Sequence, residues 1–290
     1  MLSAPEIRRR IRSISGTAQI TRAMQMVAAS KMRKAQQAAL RGRPFVRLLY
    51  RIQRKATTQA GDFVHPLTEV RPVHKQAVIL IGPDKGLCGG LNSNLYRVAS
   101  RFDPNSTVFI TAGKKMAQFI ARTGRQLIAE FNYSDAPRFS EARPIAAFAR
   151  DLFLNHEVDA VHVVATQFVN TLNQRALSLE FLPIGKITSL SLEQGKLEEE
   201  LADHPMKFLF EPKADETLDY LLPIYLNVYI FQVMFNAKAS EQSARMVSMK
   251  NATDNAEKLI KDLTLEYNKL RQNNITRELL DIAGGKAGAD

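Results

Sequence analysis

The chain has 290 residues, 45% of them hydrophobic, with a mean hydropathy of -0.19, which suits one large domain or two modest ones. Its formal charge of +11 is concentrated at one end: residues 1–60 hold fourteen Arg or Lys against one acid, Glu6, and the other 230 hold 26 basic and 28 acidic side chains. The single cysteine, Cys88, excludes an intramolecular disulfide and a cysteine-coordinated metal, no apolar run reaches the ~18 residues of a membrane span, and Arg8, Arg9, Arg10 and Arg12 are not followed by the apolar segment of a secretory signal.

Residues 6–55 contain one proline, Pro44, and two glycines, Gly16 and Gly42. Ile7, Ile11, Ile14, Ala18, Thr21, Gln25, Ala28, Met32, Ala35 and Ala39 recur at alternating spacings of four and three, the seam of a coiled coil. Ile20, Met24 and Val27 form a second stripe beside it, so the helix has more than one apolar contact. Residues 61–72 read as a linker, with Pro66 and Pro72 opposing regular helix. The period then changes. Residues 76–81 form a continuous apolar run closed by Gly82-Pro83, the mark of a buried strand. Helices are expected at 92–102, 114–123 and 145–156. Further strands are expected at 107–111, 126–132 and 160–165, with edge strands at 174–183 and 208–211 on either side of an acidic stretch at 192–203. Alternating strands and helices predict a mainly parallel sheet covered on both faces. From residue 215 the helical period returns, with Met246, Met249, Thr253, Ala256, Ile260, Leu263, Tyr267 and Leu270 as its seam. Pro223 is expected to kink this helix or to stand in its first turn.

These patterns predict an α/β protein: a long antiparallel coiled coil of N- and C-terminal helices with an inserted Rossmann-like α/β domain. The expected segments are 1–60 and 213–283 for the helices, 73–212 for the inserted domain and 284–290 for a flexible tail. Helices of this length need a packing partner, and the simplest one is the other terminal helix.

No enzyme constellation emerges. The glycine-rich turn at residues 82–92 follows the first strand, where an α/β fold binds phosphate. It fits neither G-x-x-x-x-G-K-[ST], since Leu87 stands where the second glycine belongs, nor G-x-G-x-x-G, since Cys88 interrupts it. Cys88 has no histidine near it in sequence, and Glu198, Glu199 and Glu200 read as a solvated acidic face. His65, His74, His156, His162 and His204 lack metal-ligand spacing, so no metal, cofactor or catalytic residue is assigned. The basic first segment is open to two readings: a nucleic-acid surface without the aromatics that would stack on bases, or a shaft or adaptor with a protein partner.

Particular strings go further. Residues 6–14 (EIRRRIRSI), 19–32 (QITRAMQMVAASKM), 84–92 (DKGLCGGLN), 239–246 (ASEQSARM), 251–254 (NATD) and 267–279 (YNKLRQNNITREL) resemble, in order, the γ subunits of rotary F-type ATP synthases. The resemblance implies a non-catalytic rotor subunit without a cofactor. Its helical hairpin would stand inside a ring of α and β subunits, and its α/β foot would touch the ε subunit and the c ring of the membrane sector, with no nucleic-acid partner and no insertion into the membrane. It further implies ring contacts at Met24, Arg271, Gln272, Thr276 and Glu278, and a foot contact near the c ring at Glu211. With one cysteine the chain cannot carry the regulatory pair of chloroplast-type members, and it starts at the family motif without a transit segment. A bacterial protein at the cytoplasmic face of the plasma membrane is therefore expected.

Overall fold

The computed structural model describes residues 3–59, 65–184 and 214–286. The expected strand at 208–211, the acidic stretch and Glu211 lie outside them. The chain divides into two compact units, one made of residues up to 28 with those from 246 onward, the other of residues 29–245.

Two helices contribute to both units, α1 (Ala4–Gln59) and, at the other end, α5 (Ala214–Lys286). In the first unit they pair antiparallel. Ile7, Thr21 and Ala28 are buried, as are Met249, Thr253 and Ala256, so the predicted seam is the packed one. The Thr21 and Thr253 hydroxyls meet at 2.7 Å, and Arg22 pairs with Glu257 beside them. Small seam residues let the helix backbones approach closely. In the second unit the same two helices again run antiparallel: Met32, Ala35 and Ala39 are buried, and the Gln232 amide donates to the Ala39 carbonyl at 3.0 Å. A Cβ on Gly42 would stand 2.9 Å from Gln232 Oε1.

The second unit also holds the sheet. In chain order its elements are β1 (Gln76–Ile81), α2 (Leu91–Ala99), β2 (Thr107–Ala112), α3 (Lys114–Arg122), β3 (Gln126–Phe131), α4 (Phe139–Leu154), β4 (Ala160–Phe168) and β5 (Gln174–Leu182). The strand order is β3-β2-β1-β4-β5; the first four strands are parallel and β5 is antiparallel to β4. β1 is apolar throughout because both its faces are covered. Ala77, Ile79 and Ile81 join the core under α4 and α5, while Val78 and Leu80 join the one under α2 and α3. The β4–β5 turn is closed by Asn170, whose Oδ1 accepts from the backbone N–H of Leu172 at 2.9 Å and of Asn173 at 2.8 Å. The Gly113 position admits only glycine, since its φ is +113° and a Cβ would meet the Gly82 carbonyl oxygen at 2.1 Å.

Four expectations change. α4 starts six residues before the predicted 145, because the Glu141 carboxylate accepts from the Arg138 N–H at 2.7 Å and satisfies the helix entry. Pro223 stands within α5, the first of its two expected places, and what changes is the end of that helix, which runs past residue 283 through Gly284 and Gly285 to Lys286. The expected linker holds a 3-10 turn, Pro66–Thr68, with Leu67 buried; His65 caps it, Nδ1 accepting from the Leu67 N–H at 3.0 Å. Finally, α5 is long enough, and one 18-residue window of it apolar enough (mean hydropathy 1.3), to cross a membrane by length and composition; residues 220–237 carry no charge. Scattered Asn, Gln and Pro hide it from a search for unbroken apolar runs. Half of that window is buried within the fold, and Leu222, Leu226, Ile230, Val233 and Met234 face the sheet core.

Candidate functional site

The residues singled out from sequence fall mostly on the outside of the first unit. Of the second apolar stripe, Ile20 is 63% and Val27 55% exposed, and Met24 is half-buried. Toward the end of α5, Arg271, Gln272 and Thr276 are exposed, and the Thr276 hydroxyl donates back to the Gln272 carbonyl at 2.9 Å. The side chain of Glu278 lies outside the described residues, as does Glu211 altogether. Met24 and Arg271 are not brought together. Thr21 faces Thr253 across the seam, which places Met24 near residue 250, about 30 Å of helix away from Arg271.

The N-terminal basic residues have a local geometry of their own. Glu6, the one acid among them, accepts from the Ser3 N–H at 2.8 Å and the Ser3 hydroxyl at 2.9 Å; these bonds hold its carboxyl below the usual range. It closes the first turn of α1, where a carboxylate also complements the helix dipole. Arg8, Arg9 and Arg12 line a shallow cleft of 310 Å³ with Ala4, Pro5 and Tyr267.

At the carboxyl edge of the sheet the glycine-rich turn runs from Gly82 to Gly90 and leads into α2. Its two upstream carbonyls are already taken. Gly82 accepts from the Tyr133 hydroxyl at 3.1 Å, and Gly86 accepts from Arg245 Nη2 at 3.2 Å. Burial pushes the Cys88 thiol up, the opposite of what an activated thiolate needs. Asp84 is also engaged, accepting from the Lys114 N–H at 2.9 Å at the start of α3. Among the described residues, no group of three or more His, Cys, Asp or Glu could hold a metal ion.

What fills this edge is a line of charges from α5 that sequence reasoning missed. Lys238 is 2% exposed, Glu241 3% and Arg245 9%. Lys238 Nζ donates to Glu241 Oε2 at 3.0 Å, and Arg245 Nη1 donates to Glu241 Oε1 at 2.9 Å. On the other side Lys238 lies 3.5 Å from Asp135, which Lys31 of α1 also contacts at 2.5 Å. Those two lysines hold the Asp135 carboxyl below the usual range, the Lys31 bond being the larger cause. Lys238 also stands over the Tyr133 ring, 4.6 Å from its centre. The result is an alternating chain: Lys31, Asp135, Lys238, Glu241, Arg245 and the Gly86 carbonyl. One sequence signal existed. Three charges at i, i+3 and i+7 follow directly on the uncharged stretch of α5, so they continue a core-facing helix side.

Comparison with known proteins bears on the whole chain. A family model described as ATP synthase matches residues 3–288. The chain is 45% identical to the ATP synthase gamma chain of Methylacidiphilum infernorum over 98% of each chain. It is 42% identical to that of Opitutus terrae, over 100% of this chain and 99% of that one. Its fold is shared with a chain from the rotor of the Euglena gracilis mitochondrial ATP synthase (TM-score 0.66, 16% identity, 94% of this chain and 98% of that one). It is also shared with a chain from the central stalk and c ring of the Tetrahymena thermophila enzyme (TM-score 0.60, 24% identity, 80% and 99%). With matched strings at both ends and in the first turn of the sheet, and with relatives alike along their full length, the chain belongs to the ATP synthase gamma chain family.

Proposed function

We propose that the chain is the central-stalk rotor of an F-type ATP synthase and couples ion flow through a membrane c ring to the conformational cycle of the catalytic β subunits. The observation that carries this reading is the exterior of the helical pair. Its seam is filled, yet Ile20, Met26 and Val27 on α1 and Leu265 and Ile275 on α5 remain exposed, as expected of a shaft whose outside meets partners. That exterior is unequal around its circumference, with an apolar stripe, an arginine cleft and polar positions toward the end of α5. A shaft without threefold symmetry presents a different face to each of three β subunits. Because a partner's equilibrium shifts only by differential interaction, the three sites are held in different states, and rotation cycles each through all of them. Nucleotide chemistry then belongs to the ring, and the chain itself is a non-catalytic subunit that needs no cofactor.

In this reading Met24 faces the moving region of the β subunits. Arg271, Gln272, Thr276 and Glu278 meet loops of the α and β ring, where a guanidinium can clamp a carboxylate and release it on rotation. Segments 1–60 and 213–283 form the shaft, which α5 continues to Lys286. Segment 73–212 is the foot, with Glu211 near the c ring and the ε subunit alongside. The complex sits on the cytoplasmic face of the plasma membrane, held by the c ring rather than by this chain. Purification of the native assembly tests the reading: the chain is expected to copurify with α and β subunits. Failure to do so, together with steep salt-dependent binding to DNA, would favour the nucleic-acid reading of the basic segment instead.

A further inference from the structure

In the second unit, helices α1, α4 and α5 border an open groove of about 570 Å³, a size ordinary for small-molecule pockets, which run from about 300 to 1,000 Å³. Its floor follows α5 from Ile224 through Phe231 to Phe235, so the groove extends along about 16 Å of helix. Ala38 and Phe45 of α1 line one side, and Phe139 of α4 lines the other. The Phe139 ring meets Phe231 edge-on at 5.6 Å between centres, and Phe231 meets Phe235 in the same way at 4.7 Å. Phe45, Phe139 and Ile224 all remain exposed. Protein interiors hold few voids larger than a water molecule, so a space of this size among four phenylalanine rings is not a packing fault.

Two polar side chains line the groove without a partner of their own. Arg143, one turn beyond Phe139 on α4, is exposed, and Asn227 is half-buried between the apolar positions of α5. Neither makes a hydrogen bond or ion pair among the described residues. No acid on the bordering helices is left to balance the guanidinium. The one acid in residues 1–60 is Glu6, which lies in the first unit, and residues 220–237 carry no charge. On α4, Glu141 is engaged by the N–H groups of Arg138 and Ser134. The groove is therefore apolar along its length and cationic on one side, which selects an apolar body with a negative head. Its extension over three turns of α5 favours an unbranched chain over a compact ring system. The planar fork of Arg143 matches a carboxylate, and the Asn227 amide offers a second donor.

We propose that this groove is a binding site for a free long-chain carboxylate, with the acyl chain laid along α5 and the head held by Arg143 and Asn227. The site does not depend on the rotor reading. The test titrates the full chain with dodecanoate below its micelle concentration, followed by calorimetry and by thermal melting. Saturable binding of one dodecanoate per chain is expected, with a melting midpoint that rises with ligand concentration. Arg143→Gln, at an exposed position, is expected to fold normally and to weaken dodecanoate binding about tenfold, the value of a hydrogen bond to a charged group. Dodecanol, which has the same chain without the charge, is expected to bind the native chain and Arg143→Gln equally. Ala38→Phe places a ring in the groove from a half-buried position and is expected to abolish binding. Unchanged affinity for dodecanoate in Arg143→Gln would overturn the proposal, as would native binding in an Ala38→Phe variant that melts like the native chain. So would loss of the site in the native assembly, which would show that a neighbouring subunit covers the groove. Retention of the chain on phosphatidylglycerol vesicles without binding of free dodecanoate would also overturn it, because the groove would then serve a bilayer surface.

Discussion

The seam of the first unit offers a quantitative test at Thr21 and Thr253. Three bonds converge there: the Thr21 hydroxyl is within 3.1 Å of the Ala18 carbonyl, the Thr253 hydroxyl within 2.9 Å of the Met249 carbonyl, and the two oxygens are 2.7 Å apart. Each hydroxyl has one proton, so only two of the three bonds form at once: one threonine donates across the seam and the other donates to its own helix. Thr253→Val leaves Thr21 donating to Ala18, with no orphaned donor. The cost is therefore the net value of one buried hydrogen bond, about 1 kcal/mol, rather than a full desolvation penalty. Thr21→Val costs the same for the same reason. The double variant loses no more than either single one, because two apolar side chains of like shape replace both partners. A coupling energy of about 1 kcal/mol follows, within the range found for residues in contact. Native-state hydrogen exchange at residues 18–28 and 249–256 reads this locally, without assuming that the helical pair and the sheet unfold together. Each single variant is expected to exchange about fivefold faster there, and the double variant no faster than that. Additive effects in the double variant, or unchanged protection in the singles, would refute the account of the seam.

Two further outcomes follow. Gln25→Pro, in the interior of α1, removes a helix hydrogen bond and kinks the rod at a cost of ~3 kcal/mol or more; normal ATP-driven ion pumping by a complex carrying it would count against the shaft. Burial lowers the pKa of His65 and of His162 below the ordinary 6.5, so between the folded values and 6.5 the unfolded chain binds more protons and stability rises with pH. Thermal midpoints are therefore expected to drop as pH falls through and below 6.5, with protonation of His65 Nδ1 also breaking its bond from Leu67. The carboxyls of Asp135 and Asp159, held below 3.8, contribute stability that is lost only at much lower pH. His65→Gln should flatten the profile near 6.5, and a midpoint indifferent to pH in the unsubstituted chain would show the assignment to be wrong.

The glycine-rich turn shows how far a string can be read. Its position after β1 was plain from the switch between helical and strand periods, and its failure to match a phosphate loop was a matter of counting. Why it carries those residues was not visible: Gly82 is crowded by Met116 and Gly113, and the Gly86 carbonyl serves Arg245, 159 residues away in sequence. The string at 239–246 was likewise recognisable without a reason for its composition. Its serines and its Arg turn out to make the bonds that hold α5 over the sheet, and its Glu holds that Arg in place. The span of uncharged residues in α5 was missed for the opposite reason, since its polar interruptions are uncharged and hydropathy averages across them.

Residue pattern by itself determined the two long helices, their seam, the change of period at residue 76 and the succession of strands along the chain, because a 3.5-residue period and unbroken apolar runs record which sides of a local element are covered. The candidates for ring contact on α1 and α5 came from the resemblance of whole strings and not from the pattern. Only the tertiary structure decided that Thr21 meets Thr253, that Ile20 and Val27 stay uncovered within the chain, and that Lys238, Glu241 and Arg245 are buried. A charged residue on a helix looks the same in sequence whether it meets water or an acid brought close by the fold. Asp135 stands 104 residues from Lys31, and nothing local to either residue encodes the meeting.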